Sequence, residues 1–183
     1  MLMDPELEST HEVQPVESRA LRRVWGLFVT GVTVITTGVG DRAAGTTVNS
    51  FTSVSLEPPL VLFCIHRDSR LSQELRTSGK FAVNLLARRQ ERLAREFAGK
   101  QTATFDRVVH HRSTGGVPVL SEALAYMACD TVSEYPGGDH NIFLGEVVEI
   151  GVRRTRQEPL TFFKGSFAAL EEELRAAYSV WDG

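Results

Sequence analysis

The chain has 183 residues, of which 42% are apolar and 23% charged, and its formal net charge is −3. That size and balance suit one domain with a sizeable core. The slight acidity, with no basic stripe and no aromatic–basic interleaving, argues against a nucleic-acid binder. No apolar run reaches the roughly 18 residues that span a bilayer, which argues against a membrane protein.

In chain order, residues 1–17 hold acids and prolines without an apolar stretch. They read as a flexible N-terminal arm and not as a signal peptide. An amphipathic helix is predicted to start near Ser18, because Leu21, Val24, Trp25 and Phe28 fall at helical spacing. After Gly31, "VTVITTG" is a β-branched strand. "VGDR" is its hairpin turn and "AAGTTVNSF" its partner. "PLVLFCIHR" is a continuous apolar strand. "DSRLSQELRTSG" is a short helix with Asp68 or Ser69 as cap and Gly79 as stop.

"KFAVNLLA" is a further strand, and "QERLAREFAG" a second short helix ending at Gly99. Residues 100–118 read as polar and irregular. "ALAYMACDTVSEY" and "HNIFLGEVVEIGVRR" are two long strands joined by the turn "PGGD". "PLTFFKGSF" is the last strand, and residues 169–183 are a C-terminal helical tail. Strands linked by short turns, with few helices, predict an antiparallel barrel with peripheral helices.

Several chemistries are excluded by missing motifs. The chain has no GxGxxG after a strand, no phosphate loop, no HExxH, no CxxC and no GxSxG. His110 and His111 read as a solvated loop pair, so no metal site is expected. Cys64 and Cys129, the only cysteines, lie in apolar stretches and read as buried thiols in a reducing cytoplasm.

Three features carry candidate chemistry. "GTTVNSFTSVSLEPP" (45–59) crowds six hydroxyl side chains around Asn49. Small polar side chains let a flat polar ring lie close to a strand and be read by its backbone. A hydroxyl-rich sheet surface would produce the same composition. "HRDSRL" places Arg67, Ser69 and Arg70 at a helix start, where free N–H groups and two guanidinium groups attract phosphate. Capping plus solvated arginines is the plainer alternative. His140 follows the "PGGD" turn, where it can meet a charged or amide-bearing ligand or simply face solvent.

Taken together, the chain resembles the flavin reductase components of two-component, flavin-dependent monooxygenases. The resemblance runs from about Arg19 to Phe167. It is carried by "FVTGVTVITT", "GTTVNSFTSVSLEPPLVL", "SGKFAVNLLA", "REFAG", "GGVPVL", "GDHNIFLGEV" and "PLTFFKGSF", in that order.

The resemblance implies a mainly β fold, a split β-barrel of the antiparallel, Greek-key, FMN-binding type over residues 18–168. It implies a homodimer that binds FAD or FMN and reduces it with NADH or NADPH. The absence of a basic cluster for a 2′-phosphate favours NADH. It further implies release of reduced flavin to a partner monooxygenase. Carried over by position, Thr47, Val48, Asn49, Ser50, Phe51 and Ser53 contact the flavin ring and ribityl chain. Arg67, Ser69, Arg70 and Leu71 hold its phosphate side, and Phe97 and Ala98 add contacts. His140 positions the nicotinamide, with Phe163, Lys164 and Gly165 near it and Thr30 and Gly31 bordering the same cleft.

Such a reaction needs no acid–base constellation, because the two cofactors carry the hydride chemistry. An oxidase that retains FMN and a flavin-storage protein are the alternatives. One departure stands out: the family's last motif often ends Gly-x-Tyr, and this chain ends it with Phe167. Val54 and Leu56 are expected to serve the core.

Overall fold

The computed structural model describes residues 11, 13–38, 40–99 and 105–170. Most of the expected arm and nearly all of the expected tail lie outside the described residues. The elements in order are α1 (Ser18–Trp25), β1 (Thr30–Gly31), β2 (Thr33–Thr37), β3 (Ala44–Val48), β4 (Thr52–Leu56), β5 (Pro59–His66), α2 (Arg70–Ser78), β6 (Lys80–Leu85), α3 (Glu91–Ala98), β7 (His110–Arg112), β8 (Pro118–Leu120), β9 (Ala125–Gly137), β10 (His140–Val152), β11 (Thr161–Phe163) and β12 (Ser166–Ala168).

Seven strands form one antiparallel sheet in the order β3-β2-β6-β9-β10-β5-β4. Its two edges, β3 and β4, are consecutive in the chain, so the link Asn49–Phe51 must cross the open side. Ser50 fastens that crossing. Its Oγ accepts the Cys64 N–H and donates to the Cys64 carbonyl, both at 3.0 Å. The sheet therefore curls into a barrel, as a split β-barrel requires. Ser50→Ala leaves both Cys64 main-chain groups unpaired and is expected to cost about 1–3 kcal/mol, read as a lower urea midpoint.

The barrel is filled by Ile35, Val61, Phe63, Ile65, Phe81, Val83 and Phe143, with Leu71 and Leu75 of α2 entering the same cluster. Phe63 meets Phe81 edge-on at 4.9 Å and stacks on Phe143 at 5.6 Å. A second cluster outside the barrel packs Val32, Val34, Leu86 and Leu160 against Ala94 and Phe97 of α3. β2 is thus buried on both faces, with Ile35 in one cluster and Val34 in the other. This explains its unbroken β-branched run.

The buried hydroxyls of β2 find carbonyls: Thr36 donates to Pro118 and Thr37 to Lys80, each at 2.6 Å. Asn84 is fully buried. Its amide donates to the Val34 carbonyl and accepts from the Leu120 N–H, tying three segments together.

Four expectations need correction. The first helix stops at Trp25, and Phe28 lies beyond it, 76% exposed. Residues 105–118 are more regular than their polarity suggested. Gly116 N–H closes a turn on the Ser113 carbonyl, so β7 and β8 form a hairpin that carries His110 and His111. "PLTFFKGSF" is two short strands around a turn at Lys164 and Gly165, both at positive φ. Val54 and Leu56 do not enter the core: they are 47% and 85% exposed. β4 is an edge strand with a register break between Ser53 and Ser55, and among the described residues nothing covers their face.

Cys129 is buried, but Cys64 is only half-buried, and both are free thiols. Burial pushes the Cys64 thiol up and, with Asp130 beside it, takes Cys129 to about 12. Neither is a ready nucleophile.

Candidate active site

A cleft of about 400 Å³ opens beside the β3–β4 crossing. Phe28, Leu85, Leu124 and Leu160 make its apolar wall, while Thr30, Gly31, Asn49, Phe51 and Thr52 supply peptide and side-chain polar groups. Two parts of the expected site, the Asn49–Phe51 stretch and the Thr30–Gly31 pair, are therefore neighbours.

Much of the hydroxyl-rich segment is already engaged. Thr47 donates to the Ala94 carbonyl at 2.8 Å and Thr46 to that of Phe97 at 3.3 Å, so β3 holds α3 through its threonines. Val48 ends β3, and its carbonyl accepts from the Thr33 hydroxyl. Asn49 is exposed and its amide has no hydrogen-bond partner among the described residues. Ser53 is exposed on β4.

At Gly45 a Cβ would stand 2.7 Å from the Phe97 ring and 3.1 Å from the Ile35 carbonyl. Gly45→Val is expected to lever α3 off the barrel at a cost of about 1–3 kcal/mol, seen as a lower melting temperature. Phe97 itself is buried, and Ala98 after it is exposed.

From the cleft, β5 leads to the arginine group. Thr52 pairs with Leu62, and Cys64 and His66 follow on the same face of β5. Then come Arg67, Ser69 and Arg70. Ser69 caps α2 by accepting the Ser72 N–H at 3.2 Å. Arg67 and Arg70 are exposed at the helix start, and Arg67 makes a loose 3.7 Å ion pair with Asp68. Leu71 puts its side chain in the core, which leaves only its main chain for a ligand.

His140 belongs to this arginine end. The Arg67 N–H donates to the Asp139 carbonyl at 3.0 Å, and the Asp139 carboxylate accepts from His140 Nδ1 at 2.7 Å. That bond holds the Asp139 carboxyl below the usual range. His66 faces His140 with ring centroids 5.6 Å apart.

The third group, Phe163–Gly165, does not line this cleft; Lys164 and Gly165 border a separate cavity against α1. β11 pairs with β1, placing Phe162 opposite Thr30, and Lys164 N–H donates to the Gly26 carbonyl at 2.8 Å. Lys164 Nζ sits 5.1 Å over the Phe163 ring. Among the described residues no bond or ring contact joins this group to His140. Of the expected nicotinamide set, Thr30 and Gly31 line the cleft, Lys164 and Gly165 border the cavity against α1, and His140 stands with Asp139 and His66.

Sequence reading missed His66, because only the β5–β10 register brings it to His140. It also missed the network beneath His140. Arg76 grips Glu134 through Nε at 2.9 Å and a terminal nitrogen at 2.6 Å, and Asn141 donates to Glu134 at 2.6 Å. Arg76 is the main cause of the Glu134 carboxyl lying below its usual range. A depressed carboxylate adds stability above its ordinary pKa and loses it as pH falls through the folded value. The pair is partly exposed, so its worth is below about 1 kcal/mol. Glu134→Gln is expected to lower stability by less than about 1 kcal/mol at neutral pH and to change it little at acid pH, which flattens the acid limb of the profile in urea melts.

The residues fit a flavin. A flat ring finds apolar walls, the free Asn49 amide and the Thr30 hydroxyl, which is buried without a partner. A phosphate finds the α2 start with two guanidinium groups.

The flavin reductase like domain model matches residues 25–171. The chain therefore belongs to the flavin reductase like family. It is 44% identical over 162 residues to an NADH-dependent FAD reductase of Streptomyces globisporus, covering 85% of this chain and 87% of that one. It is 38% identical over 159 residues to the reductase subunit HsaB of a flavin-dependent monooxygenase of Mycobacterium tuberculosis, covering 86% and 85%. Among solved structures, it superimposes on nitrilotriacetate monooxygenase component B of Mycobacterium thermoresistibile with a TM-score of 0.84, at 34% identity and 90% and 92% coverage. With the S. globisporus NADH:FAD oxidoreductase SgcE6 bound to NAD and FAD fragments, the TM-score is 0.82, at 41% identity and 89% and 99% coverage.

Proposed function

We propose that this protein is an NADH-dependent flavin reductase that reduces FAD or FMN and supplies the reduced flavin, by diffusion, to a partner flavin-dependent monooxygenase. The observation that carries this reading is the continuity of the site. An apolar slot edged with amide and peptide groups leads along β5 to a helix start bearing two arginines. The S. globisporus relative, named as an NADH-dependent FAD reductase over nearly its whole length, supports the same activity. The monooxygenase partner is supported by the relatives named as reductase subunits or components of monooxygenases.

When bound, the flavin supplies the acceptor for hydride from the nicotinamide. The chain supplies placement. Asn49 and the main chain of the Val48–Phe51 crossing read the polar edge of the ring, and Phe51 and Leu85 press on its apolar part. Arg67, Ser69 and Arg70 hold phosphate. His140, oriented by Asp139, contacts the nicotinamide. Phe97 and Ala98 border the flavin, while Thr30 and Gly31 close the opposite side, with Phe163, Lys164 and Gly165 beyond them. Phe167 packs edge-on against Phe162 at 5.6 Å and under the Arg95 guanidinium at 4.9 Å, so this position serves packing.

The catalytic unit is residues 18–168, working as a homodimer in the cytoplasm. The apolar outer residues support a partner copy: Val148, Ile150 and Val152 of β10 are 57%, 69% and 77% exposed, and Leu56 of β4 is 85% exposed. Ile150→Glu is expected to shift the protein toward monomer in light scattering. Two unpaired thiols suit a reducing compartment. Among the described residues, no helix is long and apolar enough to cross a membrane.

The test of release is gel filtration after mixing with FAD. A flavin whose ring is held by modest neutral hydrogen bonds and whose phosphate meets exposed arginines should separate from the protein. Flavin that stays bound through filtration and turnover contradicts a diffusible product.

A further inference from the structure

We propose that His66 is a specificity residue that reads the nicotinamide carboxamide jointly with His140. This rests on the nicotinamide binding beside His140.

The argument begins with register. β5 and β10 are antiparallel, and His66 lies directly opposite His140. Direct cross-strand partners project from the same face of a sheet. The two rings stand 5.6 Å apart at 70°, so they are neighbours without being stacked.

The hydrogen-bond partners then set the tautomers. The Asp139 carboxylate can only accept, so the His140 nitrogen bonded to it, Nδ1, carries the proton. In the neutral ring Nε2 is then an acceptor. His66 is wired the other way. Its Nδ1 accepts the Asp68 N–H at 3.3 Å, so its Nε2 carries the proton and donates. Neither Nε2 has a hydrogen-bond partner among the described residues.

Both rings also stand on fixed backbone. The His66 carbonyl accepts from the Ser69 N–H at 3.0 Å and from the Ser72 hydroxyl at 3.1 Å. The turn before His140 is held by Arg67, and Asn141 after it by Glu134.

One face thus offers a donor and an acceptor side by side. A primary carboxamide is the complement: its carbonyl accepts and its NH2 donates. At 5.6 Å between centroids the two rings are close enough for one such group to lie against both edges. His66 serves the carbonyl and His140 the NH2.

The test uses the full chain at saturating FAD with two reductants. NADH has both amide groups. Reduced 3-acetylpyridine adenine dinucleotide keeps the carbonyl and lacks the NH2. His66→Ala is expected to raise the Michaelis constant about fivefold to tenfold for both reductants, the worth of one hydrogen bond. His140→Ala is expected to raise it for NADH and leave the analogue nearly unchanged. His66→Gln, which keeps an N–H donor, should recover part of the loss. His66→Phe, which keeps a ring without a donor, should not.

If His66→Phe restores the parent value, the ring only packs and the proposal falls. It also falls if His66→Ala leaves both Michaelis constants unchanged, or affects NADH alone, while His140→Ala still weakens NADH. If neither histidine matters for NADH, the placement of the nicotinamide beside His140 fails, and the proposal with it.

Discussion

Replacing His140 by alanine is expected to raise the Michaelis constant for NADH about tenfold while turnover stays within about threefold. A tenfold change is about 1.4 kcal/mol, the scale of one good hydrogen bond to a ligand. The imidazole is built for holding. Asp139 fixes its Nδ1, and the Arg67 N–H anchors the turn before it. Hydride transfer itself needs no proton shuttle, because the two cofactors carry the chemistry. An effect on binding without an equal effect on turnover is the signature of uniform binding. Steady-state kinetics at saturating flavin reads both constants. An unchanged Michaelis constant with a large loss of turnover contradicts the role given to His140.

The largest effect on stability is expected at Phe81. Its ring is fully buried, edge-on to Phe63 at 4.9 Å, and lies over Gly145 on β10. The glycine is what admits the ring, since any Cβ there collides with it. Phe81→Ala opens a cavity at the barrel centre and is expected to cost about 3–5 kcal/mol. For a chain of this length each kcal/mol lowers the melting temperature by about 2–4 °C. A fall of roughly 10–15 °C in a thermal melt follows from these two scales. A fall of a few degrees would mean that the barrel collapses around the gap.

The sequence made the barrel legible where a strand is buried on both faces or bounded by turns. "PLVLFCIHR" and the "PGGD" hairpin are such cases, and β5, β9 and β10 lie where they were expected. It failed where outside cover decides exposure. Val54 and Leu56 alternate like core residues, yet β4 is an edge strand and their side chains are left exposed among the described residues. It failed again at β7 and β8, whose polar residues hide a hairpin closed by main-chain bonds.

At the site, Asn49, Phe51, Arg67, Arg70 and His140 were readable from local motifs and family order. The three threonine and serine hydroxyls of Thr46, Thr47 and Ser50 were readable as polar, but their partners on α3 and β5 were not. His66 carried no local signal, because its meaning comes from a register between strands far apart in the chain. The same holds for Arg76 and Glu134, which meet only when α2 packs beside β9.

The most direct measurement is NADH oxidation by the purified protein with and without added FAD, FMN or riboflavin. The cleft beside the β3–β4 crossing and the arginine-bearing α2 start predict oxidation that rises strongly with added FAD or FMN and is slow without flavin. Oxidation that added flavin does not stimulate would contradict the assignment.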